Sequence, residues 1–301
     1  MSSPAATSTI AATATRLRHG ATTSRKLTIA CLERITELNS RVNAFITVLG
    51  DRALADAEAA DRELAGGMDR GPLHGIPLSL KDLIDLAGSP TTAASRLRQG
   101  DVAQSDAPVV DRLKQAGAIF VGKCNLHEFA YGTTSEDSAF GPVRHPLDPN
   151  RSAGGSSGGS AVAIATGMSF ASVGTDTGGS IRIPAALCGI VGLKPTYGEL
   201  PLSGIVPLSA SLDHVGPMTR SVEDARIVFN VMKGQGDVKM GRRALDLRRT
   251  CFGVPRSYFF DILDDEVRRS FEERVTRLRA RGAEVQDVWI PHAADAPPIY
   301  L

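Results

Sequence analysis

The chain has 301 residues, of which 42% are hydrophobic and 22% charged, and its formal net charge is +1. Such a chain can bury a sizeable core, and its near-zero charge gives no sign of a basic nucleic-acid surface or an acidic tail. No apolar run reaches the length of about 20 residues that a membrane-spanning helix needs. The four cysteines are Cys31, Cys124, Cys188 and Cys251. They form no CxxC pair, which argues against structural zinc or a disulfide framework and favours the reducing cytoplasm.

Apolar periodicity predicts several elements in the first half of the chain. After a short helix with a frayed start near the N-terminus, residues 26–38 place apolar side chains on one face of a helix. The Ala-rich residues 51–65 predict a second helix, which the glycines at 66–67 end. The stretch GIPLSLKDLID, residues 75–85, is bounded by Gly and Pro and predicts a buried strand.

Helices and strands continue to alternate in the middle of the chain. Pro108 suits the first turn of a helix and Gly117 suits its end, and the strand AIFVG follows. Ser221 and Asp224 resemble a capping box, which predicts that a helix with an apolar stripe begins there.

The last part of the chain predicts a helix over 267–278, a strand over 283–290 and no closing helix before Leu301. The interleaving of helices and strands predicts an α/β fold rather than separate all-α and all-β domains. We expect one domain over residues 1–301, with its motifs at about 70–235.

Two glycine-serine clusters, GGSSGGS and GTDTGGS, flank an apolar segment. They lack the lysine of a P-loop and the GxGxxG spacing of a dinucleotide site, and the apolar run AVAIATG argues against a flexible linker. The second cluster predicts a strand, a glycine turn, and a helix or turn that opens at Ser180. Glycines let several N–H groups converge on an oxyanion, and a serine at that place suits a nucleophile. The alternative for Ser180 is a helix cap.

A nucleophilic serine needs a base, and no histidine lies in a GxSxG context. We expect His74 and His127 to be satisfied polar groups. Lys81 is the better candidate, because burial in its apolar strand would lower its pKa from about 10.4 towards the 7–8 that a base requires near neutrality. The alternative is an ion pair of Lys81 with Asp82 or Asp85.

Three motifs carry a resemblance to a known family: GIPLSLKDLIDLAG, GGSSGGS and GTDTGGSIRIPAALCGIVGLKPTYG. Their residues and spacing resemble the amidase signature family over about residues 8 to 235. The segments AGAIFVGKCNLHEFAYGTTSEDSAFGPVRHP and PLSGIVPLSASLDHVGPMTRSVEDA are similar to the glutaminase subunit of tRNA-dependent amidotransferases and to stand-alone amidases. The resemblance implies an α/β/α sandwich with a central mixed β-sheet. Because family members continue past residue 301, we expect this fold to be incomplete at the C-terminus.

The resemblance also implies a Ser-Ser-Lys triad for amide hydrolysis. Ser180 would be the nucleophile, Ser156 would follow a cis peptide bond and bridge the other two groups, and Lys81 would be the neutral base. The oxyanion hole would consist of the backbone N–H groups of Thr177, Gly178, Gly179 and Ser180. Ala130 and Tyr131 match a segment beside the acyl pocket.

Other residues are expected to support this site. Asp176 and Arg182 either pair across the glycine turn or contact solvent independently, and Cys188 is expected to be a packed thiol. The chemistry needs neither a metal nor an organic cofactor. We expect a small amide as substrate and no direct contact with nucleic acid or membrane, and both a homodimer and amidotransferase partner subunits stay open. The alternatives to a free amidase are an inactive fragment or binding module and such a glutaminase subunit.

Overall fold

The computed structural model describes residues 8–235 and 245–300. These residues fall into two compact units, divided near residue 238. The start of the frayed N-terminal segment and Leu301 lie outside the described residues. The prediction that residues 1–301 form one domain stays a prediction, and the two units are considered separately.

The first unit contains the following elements in chain order. Its helices are α1 (Ile10–Arg18), α2 (Ser24–Val42), α3 (Gly50–Ala65), α4 (Pro108–Gln115), α5 (Gly158–Ala165), α6 (Arg182–Leu187) and α7 (Val222–Met232). Its strands are β1 (Phe45–Val48), β2 (Pro77–Lys81), β3 (Ile119–Cys124), β4 (Ala171–Asp176), β5 (Val191–Gly192) and β6 (His214–Thr219). Each helix and strand predicted in this part of the chain is confirmed, although the strand in 75–85 ends at Lys81.

The six strands form one mixed sheet in the order β1-β3-β2-β4-β6-β5. β2 runs parallel to both β3 and β4, whereas β1, β6 and β5 pair antiparallel with their neighbours. Every residue of β2, β3 and β4 is buried. Continuous burial is typical of parallel strands that helices cover on both faces. The predicted α/β class with a mixed central sheet is therefore confirmed.

Capping explains where several helices begin. The Thr23 hydroxyl accepts from the N–H of Lys26 at the start of α2, and Pro108 occupies the first turn of α4. Ser221 caps α7 by accepting from Asp224 N. The predicted capping box is only half present, because the Asp224 carboxylate accepts from the N–H of Ile10 at 2.9 Å and so caps α1 instead.

The second unit contains a small parallel sheet. β7 (Cys251–Pro255) pairs with β8 (Glu284–Val288), and the connecting helix is α8 (Asp265–Ala280). The prediction that no helix follows the last strand is wrong, since α9 spans Ala296–Tyr300. Its two prolines lie in the first turn, where a missing N–H breaks no helical hydrogen bond. None of the described helices is long and apolar enough to cross a membrane.

Candidate active site

Lys81 is the last residue of β2 and is completely buried. Its Nζ lies 2.7 Å from Ser156 Oγ and 2.9 Å from Thr175 Oγ1. The alternative of an ion pair with Asp82 is wrong, because Asp82 pairs with Lys123 at 3.1 Å. Within residues 8–235 and 245–300, no carboxylate lies within ion-pair distance of Lys81. The amine therefore has hydroxyl partners only.

Burial determines the charge of this amine. Loss of hydration lowers the pKa of Lys81 to about 7, although the negative charges of Asp176 and Asp213 oppose the shift. A lysine with such a pKa is largely uncharged slightly above neutral pH, and an uncharged amine can accept a proton. A pKa of about 7 is thus low enough for a lysine that is predicted to act as a base near neutral pH.

The serine doublet lies at the start of α5 and is fixed from both sides. The Gly155–Ser156 peptide bond is cis, as the resemblance implies. The Ser156 carbonyl accepts from the N–H of His127 and from the Ser135 hydroxyl, each at 3.1 Å. Ser157 Oγ donates to the Thr175 carbonyl at 3.1 Å, which ties the doublet to β4. Ser156 therefore presents its hydroxyl to Lys81 from an anchored backbone.

The glycines of the first cluster permit close backbone approach. A Cβ at Gly159 would lie 2.4 Å from the Asn125 carbonyl oxygen and 2.5 Å from that of Ala44. Real Cβ atoms do not approach oxygen so closely, so any side chain would push α5 away from the end of β3. Glycine at position 159 is thus a packing requirement of the site.

The second cluster is a turn organised by Asp176 at the end of β4. One carboxylate oxygen accepts from Gly179 N at 2.9 Å and the other from Ile181 N at 3.1 Å. Arg182 pairs with the same carboxylate through Nη2 and Nε at 2.9 and 3.0 Å, which decides between the two alternatives for this pair. Burial alone would raise the pKa of Asp176, but the bonds from Arg182 and Ile181 outweigh it and lower the pKa.

Ser180 follows this turn and is almost fully buried. Its carbonyl accepts from Ser157 N at 3.1 Å, so the turn and the doublet lie side by side. Within the described part of the chain, Ser180 Oγ and the N–H groups of Thr177, Gly178 and Ser180 make no hydrogen bond. Gly179 is different, because its N–H is engaged by Asp176. Three of the four predicted oxyanion donors are therefore free in the described residues, whereas the Gly179 N–H already has a partner, and the make-up of the oxyanion hole stays a prediction.

Ala130 and Tyr131, the two residues predicted near the acyl pocket, lie in different surroundings. Ala130 is buried and lines a cavity of about 230 Å³ together with Thr175 and Thr177. Tyr131 is 60% exposed and lines a wider groove beside Phe129. Ala130 is thus close to the glycine turn, whereas Tyr131 lies at the outer surface.

Sequence reasoning missed two side chains of this site. Thr175 stands out only as a hydroxyl in the buried strand ASVGTD, where it becomes the second partner of Lys81. Asp213 lies in the segment SLDHVG, directly before β6, where an acid next to a strand carries no special signal. It accepts from the Thr177 hydroxyl at 2.6 Å and lines the same cavity.

The remaining candidate side chains lie outside the catalytic contacts. His74 is buried with Nε2 3.0 Å from a Glu63 oxygen, and His127 Nε2 lies 3.4 Å from an Asp137 oxygen. In the described residues, neither imidazole makes a hydrogen bond to Lys81, Ser156 or Ser180. Cys188 donates to the Ala153 carbonyl at 3.4 Å, and burial raises the pKa of its thiol to about 12, which fits a packed thiol. In the described residues, no group of three or more His, Cys, Asp or Glu side chains could hold a metal ion.

The fold and the site together define an α/β protein in which a buried lysine meets a serine doublet beside a glycine turn. The family model described as Amidase matches residues 26–301. The chain therefore belongs to the Amidase family.

Several known proteins are similar to this chain. It is 45% identical to a Glutamyl-tRNA(Gln) amidotransferase subunit of Roseiflexus sp. (strain RS-1), over 94% of this chain and 60% of that protein. The native peptide amidase from Stenotrophomonas maltophilia is similar in structure, with a TM-score of 0.88 and 38% identity over 98% of this chain and 64% of that one. The corresponding Glutamyl-tRNA(Gln) amidotransferase subunit from Thermotoga maritima has a TM-score of 0.84 and 36% identity, over 100% of this chain and 65% of that one. The chain thus spans about three fifths of the length of these relatives.

Proposed function

We propose that this protein hydrolyses the C–N bond of a carboxylic amide through an acyl-enzyme on Ser180. The observation that carries the proposal is the 2.7 Å contact between Lys81 Nζ and Ser156 Oγ, next to a turn with free N–H groups. Membership of the Amidase family supports the same reaction. The pKa of Lys81, about 7, supports a neutral amine at the pH where it would act.

In the first step, Ser180 Oγ bonds to the amide carbonyl carbon. Its proton passes to Ser156 while the Ser156 proton passes to the neutral Lys81 amine. The carbonyl oxygen becomes an oxyanion, which the N–H groups of Thr177, Gly178 and Ser180 would stabilise. Loss of one such donor in other enzymes costs about 2.7–4 kcal/mol of transition-state stabilisation.

In the second step, the C–N bond breaks and the nitrogen takes a proton from Ser156, which regains one from Lys81. The amine leaves and the acyl group stays on Ser180 as an ester. A water molecule then attacks the ester, with its proton taken along the same relay, and the acid and free Ser180 are released. Protein groups and water supply every proton and electron pair in this sequence.

The substrate side of the site follows from the cavity. Ala130 would lie against the acyl group, because it lines the cavity that Thr175 and Thr177 also line. Most other lining residues are apolar, among them Leu202, Ile205 and Val206. We propose that Tyr131, in the outer groove, contacts a more distant part of the substrate.

A fluorophosphonate probe tests the nucleophile directly. The wild-type chain should become covalently labelled, and Ser180→Ala should lose labelling because no hydroxyl remains to attack phosphorus. The matched control is Ser105→Ala, which removes an exposed serine whose side chain makes no hydrogen bond in the described residues. It should label like the wild type. A wild-type protein that unfolds cooperatively but stays unlabelled would contradict the proposal and favour the binding-module alternative.

A second candidate is a glutaminase subunit of an amidotransferase complex. The 45% identity to a Glutamyl-tRNA(Gln) amidotransferase subunit favours it. In that case the probe would label Ser180 in the same way, but glutamine turnover would require the partner subunits. Turnover of simple amides by the isolated protein, with no stimulation by added partner subunits, would favour the free amidase.

A further inference from the structure

The Asp213 carboxylate joins the glycine turn to a neighbouring loop. Oδ1 accepts from the hydroxyl of Thr177, the first residue of the turn, at 2.6 Å. Oδ2 accepts from the backbone N–H groups of Leu208 and Ser209 at 2.9 and 3.0 Å. A carboxylate suits three donors, because it is an acceptor with about four lone-pair positions.

The loop that Asp213 holds forms the apolar wall of the 230 Å³ cavity. Two further hydrogen bonds hold this loop, at Val206 and at Ala210. Val206 N donates to the Leu83 carbonyl at 2.9 Å, and the Tyr197 hydroxyl donates to the Ala210 carbonyl at 2.9 Å. Between these ties, Leu208 and Ser209 depend on Asp213 and on the local turn. The wall of the cavity and the turn with the free N–H groups are thus connected through one side chain.

We propose that Asp213 is a positioning residue, which sets Thr177 and the following N–H groups of the turn against the cavity wall at Leu208. This inference rests on the proposed function. It assigns Asp213 no contact with the reacting atoms. Its role is to fix the distance between the place of the oxyanion and the surface that holds the acyl group. Misplacement of reacting groups by about 1 Å can cost on the order of 100-fold in rate.

Asp213 also acts on Lys81 through its charge. The charged and titratable groups around this side of the site are Asp176 with its partner Arg182, the neighbouring His214, and the Lys123–Asp82 pair on the adjoining strands. Asp176 and Asp213 both favour protonated Lys81, Asp176 more strongly. Removal of the Asp213 charge should therefore lower the pKa of Lys81 and move the acidic limb of the rate profile to lower pH.

Three variants of the full chain separate the hydrogen bonds of Asp213 from its charge. Asp213→Ala removes the hydrogen bonds and the charge. Thr177→Val removes only the hydrogen bond between Thr177 and Asp213, and the charge stays. Asp213→Asn removes the charge, but its oxygen can still accept from the loop and its amide can donate to the Thr177 hydroxyl. Asp261→Ala is the control, since Asp261 is exposed and its side chain makes no hydrogen bond in the described residues.

We expect Asp213→Ala to lose amide hydrogen-exchange protection at 208–209 and to lower kcat by about 10- to 100-fold on a small amide. Thr177→Val should lower kcat with its acidic limb unmoved, and Asp213→Asn should shift that limb to lower pH. Wild-type protection and kcat in Asp213→Ala would overturn the inference, and so would an unmoved limb in Asp213→Asn. An inactive, unlabelled wild type would instead refute the proposed function, and the inference would fall with it.

Discussion

Two completely buried lysines lie on adjacent strands of the central sheet, and they have opposite surroundings. In the register of β2 and β3, Leu80 pairs with Lys123 and Lys81 pairs with Cys124. Lys123 Nζ lies 3.1 Å from Asp82 Oδ1 and 2.8 Å from the Pro90 carbonyl. Among the described residues, Lys81 Nζ contacts only the hydroxyls of Ser156 and Thr175.

Burial lowers the pKa of both lysines, but for Lys123 the charge of Asp82 directly opposes the shift. The paired lysine holds structure: Asp82 also accepts from the N–H and the hydroxyl of Thr92, so the pair fixes the segment that follows β2. The hydroxyl-bonded lysine can lose its proton near neutral pH. Both lysines are thus buried, and the partner determines whether the amine forms an ion pair or can become uncharged near neutral pH.

The largest expected effect follows from removal of the Lys81 amine. Lys81→Met should lower kcat/KM by roughly 10²–10⁴-fold, because no group would then take the proton from Ser156. Steady-state kinetics on a small amide measure the loss. Lys114→Met is the control, since Lys114 pairs with Asp106 in a partly exposed place and should leave kcat/KM near the wild-type value. Equal kinetics in wild type and Lys81→Met would remove Lys81 from the mechanism.

The next largest effect is a loss of stability when the Lys123 amine is removed. Lys123→Met leaves the Asp82 carboxylate buried without its cation, and removal of one partner of a buried pair costs about 3–5 kcal/mol in the free energy of unfolding. Urea unfolding measures this change. The double variant Lys123→Met/Asp82→Leu should recover much of the loss, because no unpaired charge remains. A Lys123→Met protein as stable as the wild type would show that the pair does not hold the segment after β2.

A smaller effect is the contribution of Lys81 to the pH dependence of stability. The pKa of Lys81 is lowered from 10.5 to about 7, so between these values the unfolded chain binds more protons than the folded protein. The free energy of unfolding should therefore rise with pH across this window, by an amount on the order of a few kcal/mol. Lys81→Met lacks the titrating group and should lack this part of the rise. Parallel stability curves for the two proteins between pH 7 and 10 would contradict a neutral Lys81.

Local pattern is enough to predict much of the fold and of the site. Lys81 is out of place in an apolar strand, and the second Gly/Ser cluster points to Ser180, whereas the role of Ser156 is implied by the resemblance to the amidase signature family. The long-range partners are not readable in this way. The sequence places Asp82 beside Lys81, yet strand geometry sends successive side chains to opposite faces, so Asp82 meets Lys123 instead.

The same limit applies to the glycine turn and its neighbours. A motif gives four successive N–H groups, but only the folded turn shows that Gly179 donates to Asp176. Asp213 comes to Thr177 from a separate loop, and the intervening chain carries no local signal of that contact. Residues such as Asp213, whose position depends on a hydrogen bond to a distant part of the chain, are those that sequence reasoning missed.

The central claim is that Lys81, in contact with Ser156, loses its proton near neutral pH. The most direct test is an NMR titration of the folded protein labelled with ¹³C at the lysine Cε, with Lys81→Met to assign the signal. The Cε signal of Lys81 should titrate with a pKa of about 7. A Lys81 signal that titrates near the ordinary lysine value of about 10.4 would contradict the claim, because the amine would then be a cation throughout the working range.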